Sequence, residues 1–343
     1  NGIVLGTPGS GKSFFAKREM TNAFFATRDH ILILDPENEY IALTEQLHGQ
    51  TIYLAPDSHS YLNPMDLDLS TDVGESPMLM QADFLLSQCE LMMASYGNPL
   101  MPIEKSLIDR CISLVYRDYL KNPKPENMPI LGDLYQCLRE QHNSRADDLA
   151  TAMEIYVTGS LSYLNHRTNV DLNNRMVCYN TSKLGQGLKK LVMSNVQKHI
   201  WQRTAVNRYA GITTRIFLDE FHLLLKEPQT AAYTAEIYKR FRKWNGIPTS
   251  LTQNVKDLLN SSEIENILEN SDFVLMLNQG ASDRNILAQR LGISPQELNH
   301  VTNSGEGEGL LFFGDKIIPF EDKFPRDTQL YRVMTTKPSD LAA

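Results

Sequence analysis

No apolar run in the chain is long enough to span a bilayer, and no signal peptide is visible. The chain opens with Asn1 rather than Met, so it is expected to be a piece of a longer protein whose upstream part lies outside it. Cysteine is scarce: Cys89, Cys111, Cys137 and Cys178 are all there is. None forms a C-x-x-C pair and no Cys/His cluster has zinc spacing, which excludes a zinc module. Free, mostly buried thiols in a reducing compartment are expected instead. An excess of positive charge is also missing, since 33 Lys and Arg face 41 Asp and Glu for a net charge of −8. That balance argues against a generally basic nucleic-acid coat and leaves room only for a local basic stripe, such as one lining a channel. Repeats, low-complexity tracts and a guanine-reading N-K-x-D motif are absent too. ATP is therefore the default nucleotide for any phosphate site.

What is present is globular: 42% apolar and 22% charged residues over 343 positions, enough for one large domain or a domain with a substantial insertion. Gly2 to Leu5 reads as a short buried strand, followed by a glycine-rich turn and a helix over Lys12 to Ala26. Ile31 to Leu34 is a second buried strand ending at Asp35-Pro36, and Thr51 to Leu54 fits a third. Strand, helix, strand in this order opens a parallel α/β sheet.

From Pro77 to Val157 the texture is helical, with helices expected near 78–95, 102–120, 130–141 and 146–157, punctuated by Pro and Gly. Thr168 to Asn180 reads as a hairpin turning at Leu172 to Arg175, and Leu184 to Asn207 as a long helix. The α/β pattern resumes at Ile216-Phe217-Leu218. It continues through a helix over Thr230 to Trp244, strands at Pro248 to Leu251 and Phe273 to Leu277, and short helices near 282–291 and 295–300. A terminal hairpin joins Gly309 to Phe313 with Lys316 to Phe320, and the tail after about Thr335 is expected to be loose. The expected organisation is an α/β core in two parts, 1–75 and 166–335, interrupted by an all-helical insertion at 76–165 and ending in the tail 336–343.

The strongest motif is Gly6-Thr7-Pro8-Gly9-Ser10-Gly11-Lys12-Ser13, which matches G-x-x-x-x-G-K-[ST] and lies between an apolar strand and a helix. Glycines let backbone N–H groups converge on phosphate oxygens without side-chain clash. The helix that follows, with Phe14 in its first turn, presents its positive end to the same anion. Lys12 is expected to reach the β- and γ-phosphates and the Ser13 hydroxyl to bind Mg²⁺.

The second motif, Ile216 to Glu220, is an apolar strand ending in two carboxylates. Asp219 is expected to hold Mg²⁺ and Glu220 to polarise the attacking water as general base. A paired Asp-Glu favours a hydrolase over a kinase, because a water nucleophile needs a positioned base.

Three further segments admit two readings each. Gln253, at a strand end within Thr252-Gln253-Asn254, either holds the γ-phosphate or lytic water, or belongs to a helix-capping turn. Within Lys239 to Trp244, four basic residues in six either insert an arginine into a neighbour's site or form a solvated helix end stabilised by its dipole. Asp35 to Tyr40 either organises water or Mg²⁺, or caps a helix. His222 beside Glu220 reads as structural.

Taken in order, GTPGSGKS, DPENEY, Asn63-Pro64, TNVDLNNR, FLDEFH, KRFRKWNG, LTQN and GEGLLFFGDKIIPF resemble the ATPase domain of the TraC/TrbE-like conjugative-transfer ATPases. These belong to type IV secretion systems, within the FtsK/HerA group of RecA-like motors. The resemblance runs from Gly2 to about Phe320. It implies an α/β RecA-like P-loop NTPase fold, with a mostly parallel sheet flanked by helices and carrying a helical insertion. It also implies assembly into a hexameric ring with ATP and Mg²⁺ between subunits. A further N-terminal domain would dock on the secretion machine at the inner face of the membrane, making the full-length protein cytoplasmic and peripheral. Arg242 is raised above Arg240 as the trans arginine and Gln253 as γ-phosphate sensor. His222 stands where small or aromatic residues are common.

Three functions remain: an ATP-hydrolysing motor for machine assembly or substrate transfer, a DNA-translocating coupling protein or pump, and a nucleotide-gated scaffold with little hydrolysis. DNA contact is not required by the first. Glu220 speaks against the third.

Overall fold

In the computed structural model, residues 1–69, 76–94, 100–255, 258, 262–302, 304–337 and 340 are described. Six parallel strands carry the functional site: β1 (Gly2–Leu5), β2 (His30–Asp35), β4 (Met176–Asn180), β5 (Thr214–Leu218), β6 (Gly246–Thr252) and β7 (Phe273–Leu277). With β3 (Gln50–Tyr53) and the antiparallel pair β8 (Glu308–Phe313) and β9 (Lys316–Glu321), they form a nine-stranded sheet of order β3-β4-β2-β5-β6-β1-β7-β8-β9. The parallel strands are short apolar runs because helices cover both faces, which removes the need for alternation. Ile3, Val4 and Leu5, Ile31 to Leu34, and Ile216 to Leu218 are completely shielded from solvent.

The chain divides into two compact units, one of residues 1–51, 173–180 and 207–343, the other of residues 52–172 and 181–206. The first holds the sheet and the helices α1 (Lys12–Ala26), α2 (Ile41–Gln46), α9 (Pro228–Phe241), α10 (Ile264–Glu269), α11 (Ala281–Leu291), α12 (Pro295–Leu298) and α13 (Gln329–Met334). Its core packs Ala16 and Met20 of α1 against Val4, Ile33, Phe217, Leu251 and Leu275 of the strands. The β1 register sets Gly2–Leu5 beside Thr249–Thr252 on one side and Phe273–Met276 on the other. The first strand of the chain is therefore central.

The second unit is helical, with α3 (Pro77–Ala94), α4 (Pro102–Val115), α5 (Arg117–Lys121), α6 (Leu131–Arg139), α7 (Ser144–Val157) and most of α8 (Gln186–Tyr209). The helix expected over 102–120 is two, meeting at Tyr116, and the expected end of the 78–95 helix lies outside the described residues. Asn63, completely buried, anchors two backbone segments here. Its amide donates to the Pro129 carbonyl at 2.8 Å and its oxygen accepts from Met65 N at 3.0 Å. The buried Lys198 ammonium donates to the carbonyls of Pro64 at 2.8 Å and Asp66 at 2.6 Å. Burial drives its pKa down to about 7, against the pull of Asp66.

One expectation is corrected. Thr168 to Asn180 is not a hairpin: Met176–Asn180 pairs in parallel with β2, and residues 168–175 form no strand. The upstream segment is held by side chains instead. Thr168 Oγ1 accepts from Asn63 N at 2.8 Å, and Asn169 accepts from Tyr61 N at 2.8 Å while donating to the His59 carbonyl at 2.7 Å. These side chains satisfy backbone groups far away in sequence rather than reversing a ladder. The four cysteines are free thiols, Cys137 half-buried and the others buried. No helix among the described residues is long and apolar enough to cross a membrane.

Candidate functional site

The β1–α1 loop is shaped by its glycines. Gly9 and Gly11 have φ of 75° and 101°, which glycine adopts without Cβ strain. A Cβ at Gly6 would lie 2.4 Å from Ser10 Oγ and 3.1 Å from Leu277 Cβ, so the cradle closes only around a hydrogen. Thr7 N donates to Asn278 O at 2.9 Å, and Ser10 Oγ donates to Thr7 O at 2.7 Å. The first turn of α1 has no acidic residue and Gly11 supplies no side-chain cap, so its N–H groups and dipole face an open anion position. Lys12 Nζ folds over the loop and donates to the carbonyls of Gly6 at 2.8 Å and Thr7 at 3.2 Å. Burial lowers its pKa, opposed by the charges of Glu220, Asp219 and Glu39.

β5 lies between β2 and β6, so its C-terminal end opens onto the same crevice. Asp219 and Glu220 follow it and are 3% and 6% exposed. Asp219 is pushed well above the ordinary carboxylate range, first by burial, then by Glu39 and Glu220. Glu220 adopts a left-handed backbone with φ of 44°, an uncommon conformation for a residue with a side chain. Its Oε2 lies 3.0 Å from His222 Nδ1, which is 3.2 Å from Thr252 Oγ1 on β6.

The DPENEY segment divides between its two readings. Asp35 is a turn anchor: its carboxylate accepts from Glu39 N at 3.0 Å and Tyr40 N at 3.1 Å, and Asn180 Nδ2 donates to Asn38 Oδ1 at 2.9 Å. Glu37 and Glu39 instead line the crevice. Lys17, almost wholly buried on α1, donates to the Met334 carbonyl at 3.0 Å and is pushed down to about 8 by burial, against Glu39, Asp35 and Asp219.

One cleft of about 280 Å³ brings together Pro8, Gly9, Gly11, Lys12, Ser13, Phe14, Asp219, Glu220 and Gln253. Its described lining does not include Arg242, which is exposed after the end of α9, while Arg240 pairs with Glu236 at 2.8 Å. Glu306, Thr335, Thr336 and Lys337 complete the lining, and Lys337 forms an ion pair with Glu306. The tail expected to be loose after Thr335 is thus held at the site as far as Lys337. The sequence reading also missed that His222 touches Glu220. The one local signal for it was its position two residues on from the Asp-Glu pair.

Ser13 and Asp219 offer oxygen donors of the kind Mg²⁺ takes. Several mutually repelling carboxylates surround them, and a divalent cation would offset that charge. No group of three or more His, Cys, Asp or Glu among the described residues forms a metal cage.

The model of the TraG P-loop domain family matches residues 1–306. The fold is similar to that of VirB4 of Thermoanaerobacter pseudethanolicus, with TM-score 0.84 and 23% identity over 99% of this chain and 91% of that one. It is also similar to the plasmid coupling protein TrwB in complex with ADP and Mg²⁺, with TM-score 0.63 and 13% identity over 96% and 87%. TrwB in complex with a non-hydrolysable GTP analogue gives TM-score 0.62 and 13% identity over 96% and 88%. Comparison with curated protein sequences gives no match.

Proposed function

Because the chain belongs to the TraG P-loop domain family, we propose that it is the ATP-hydrolysing motor domain of a type IV secretion ATPase that powers machine assembly or substrate transfer. The observation that carries this reading is the meeting of Lys12, Ser13, Asp219 and Glu220 on one cleft. The triphosphate lies in the Gly6–Ser13 cradle, with backbone N–H groups and Lys12 on its oxygens. Lys12 is already desolvated, so its charge acts in a low-dielectric setting. Ser13 and Asp219 would hold Mg²⁺, which would supply charge neutralisation on the phosphates when bound. Glu220 accepts the proton of the attacking water, its carboxylate oriented by His222. Gln253 contacts the γ-phosphate or the water from the end of β6.

Arg242 is exposed and outside its own cleft, which fits an arginine donated to a neighbouring copy in a hexameric ring. A ring of this kind makes turnover depend on protein concentration.

The test is Mg²⁺-dependent ATP hydrolysis by the wild type and by Glu220→Gln, with and without DNA. Loss of turnover with retained ATP binding is the expected result. Unchanged low turnover in both proteins marks a nucleotide-gated scaffold instead. Strong stimulation by DNA with steep salt dependence marks a DNA pump.

A further inference from the structure

The DPENEY segment ends in a tyrosine whose hydroxyl the chemistry above leaves unused. Tyr40 is completely buried and belongs to the core that holds Ala16, Met20 and Leu43. Its backbone is fully engaged. The N–H donates to Asp35 Oδ2 at 3.1 Å, and the carbonyl accepts from Thr44 N at 3.0 Å and Thr44 Oγ1 at 2.9 Å. Phenylalanine would serve this packing and this turn equally well. The hydroxyl therefore needs a reason of its own.

The ring lies along one turn of α1. Lys17 Nζ stands 5.6 Å from the ring centroid. Ser13 is four residues before Lys17 and so on the same face of the helix. The Tyr40 hydroxyl stands beside Ser13, without a well-aligned hydrogen bond to any described residue. Burial first, and then the charges of Asp219, Glu39 and Asp35, keep the phenol protonated, so it meets Ser13 as a neutral group. A buried hydroxyl without a partner is unfavourable. Ser13 has one O–H to donate and two lone pairs. To hold a cation it turns a lone pair to the metal and sends its proton elsewhere. The Tyr40 oxygen is an acceptor for that proton already in place.

We infer that Tyr40 is a positioning residue for Mg²⁺: its phenolic oxygen accepts the Ser13 proton and so turns a Ser13 lone pair towards the cation. This deepens the proposed function and rests on it, because the cation arrives with phosphates bound in the Gly6–Ser13 loop. The buried hydroxyl then gains its partner only when the cation is bound. Mg²⁺ affinity includes a contact that the protein lacks without it, and nucleotide affinity without Mg²⁺ does not.

The test compares wild type with Tyr40→Phe by calorimetric titration with a non-hydrolysable ATP analogue, in Mg²⁺ and in chelator, and by thermal unfolding in chelator. The two proteins are expected to agree in chelator within about twofold. The gain in affinity that Mg²⁺ brings is expected to shrink by about tenfold in the variant, the scale for losing a group that orients a metal ligand. Tm in chelator is expected to stay level or rise, because the substitution removes a buried hydroxyl without a partner. In a Ser13→Ala background, Tyr40→Phe is expected to change the Mg²⁺ gain no further, since it acts through Ser13. An unchanged Mg²⁺ gain overturns the proposal, as does a further loss in the Ser13→Ala background. A lower Tm in chelator, or a variant that does not fold, shows the hydroxyl to be a structural tie and overturns it too. Wild type that binds the analogue equally with and without Mg²⁺ removes this inference and leaves the phosphate reading intact. Wild type that binds no analogue removes both.

Discussion

His222 Nδ1 lies 3.0 Å from Glu220 Oε2 and 3.2 Å from Thr252 Oγ1, so one imidazole nitrogen stands between the β5 carboxylate and β6. Glu220 sits on a left-handed backbone with φ of 44°, a conformation that residues with side chains seldom adopt and that is often found at functional sites. Under the proposed function Glu220 is the base, and the histidine positions it rather than touching substrate. His222→Ala is expected to lower kcat by roughly tenfold with KM little changed, a fraction of the general-base contribution of about 10²–10⁴. Steady-state kinetics separate the two parameters, and a change confined to KM would assign His222 to substrate binding.

Asp219 carries the opposite kind of tension. Its pKa is raised above the usual carboxylate value by burial and by Glu39 and Glu220. The folded protein then holds this proton more tightly than the unfolded chain does. Ionisation of Asp219 therefore costs stability, beginning as pH rises past 3.8 and complete above the folded pKa. Asp219→Asn removes that cost. It is expected to raise Tm at neutral pH without nucleotide while abolishing Mg²⁺-dependent hydrolysis, a trade of stability against activity. Thermal unfolding of both proteins decides it, and a lower Tm for the variant would show that Asp219 is stabilised by its surroundings.

Lys198 gives a pH signature in the helical unit. Its pKa falls from 10.5 to about 7 on burial, so between those values the unfolded chain binds the extra proton. Stability from this residue therefore rises with pH across that window. Lys198→Met loses the bonds to Pro64 and Asp66 and is expected to destabilise by about 1–3 kcal/mol. The gap to wild type widens as pH rises from about 7 towards 10.5. Denaturant unfolding at a series of pH values shows this slope or its absence.

Lys17 fastens the end of α13 through the Met334 carbonyl. Lys17→Met is expected to speed amide hydrogen exchange over residues 329–337 while leaving exchange in the β1 and β5 strands slow. Equal acceleration in those strands would mean that Lys17 supports the whole core instead.

Much of this architecture was legible in the sequence. β1, α1, β7 and the terminal hairpin stand within a residue or two of where apolar runs, the glycine loop and Gly314-Asp315 put them. Buried parallel strands announce themselves as short unbroken apolar runs. The glycine loop and Asp219-Glu220 were legible because each is contiguous and bound to one local geometry.

The hairpin expected at Thr168 to Asn180 failed for a physical reason. Asn and Asp favour turns through their side chains, and Asn169 spends those bonds on Tyr61 and His59 instead. Glu306 and Lys337 escaped notice because they reach the cleft only through the hairpin and α13, contacts that no local pattern encodes. The same limit hid Lys17, whose partner lies at residue 334.

The most direct test of the account is a single turnover with excess protein, Mg²⁺ and ATP, comparing wild type with Glu220→Gln and identifying the nucleotide that remains bound. The account predicts conversion to ADP by the wild type, faster at higher protein concentration, and intact ATP held by the variant. ATP hydrolysed by Glu220→Gln at the wild-type rate, or ATP left intact by the wild type across all concentrations, would contradict it.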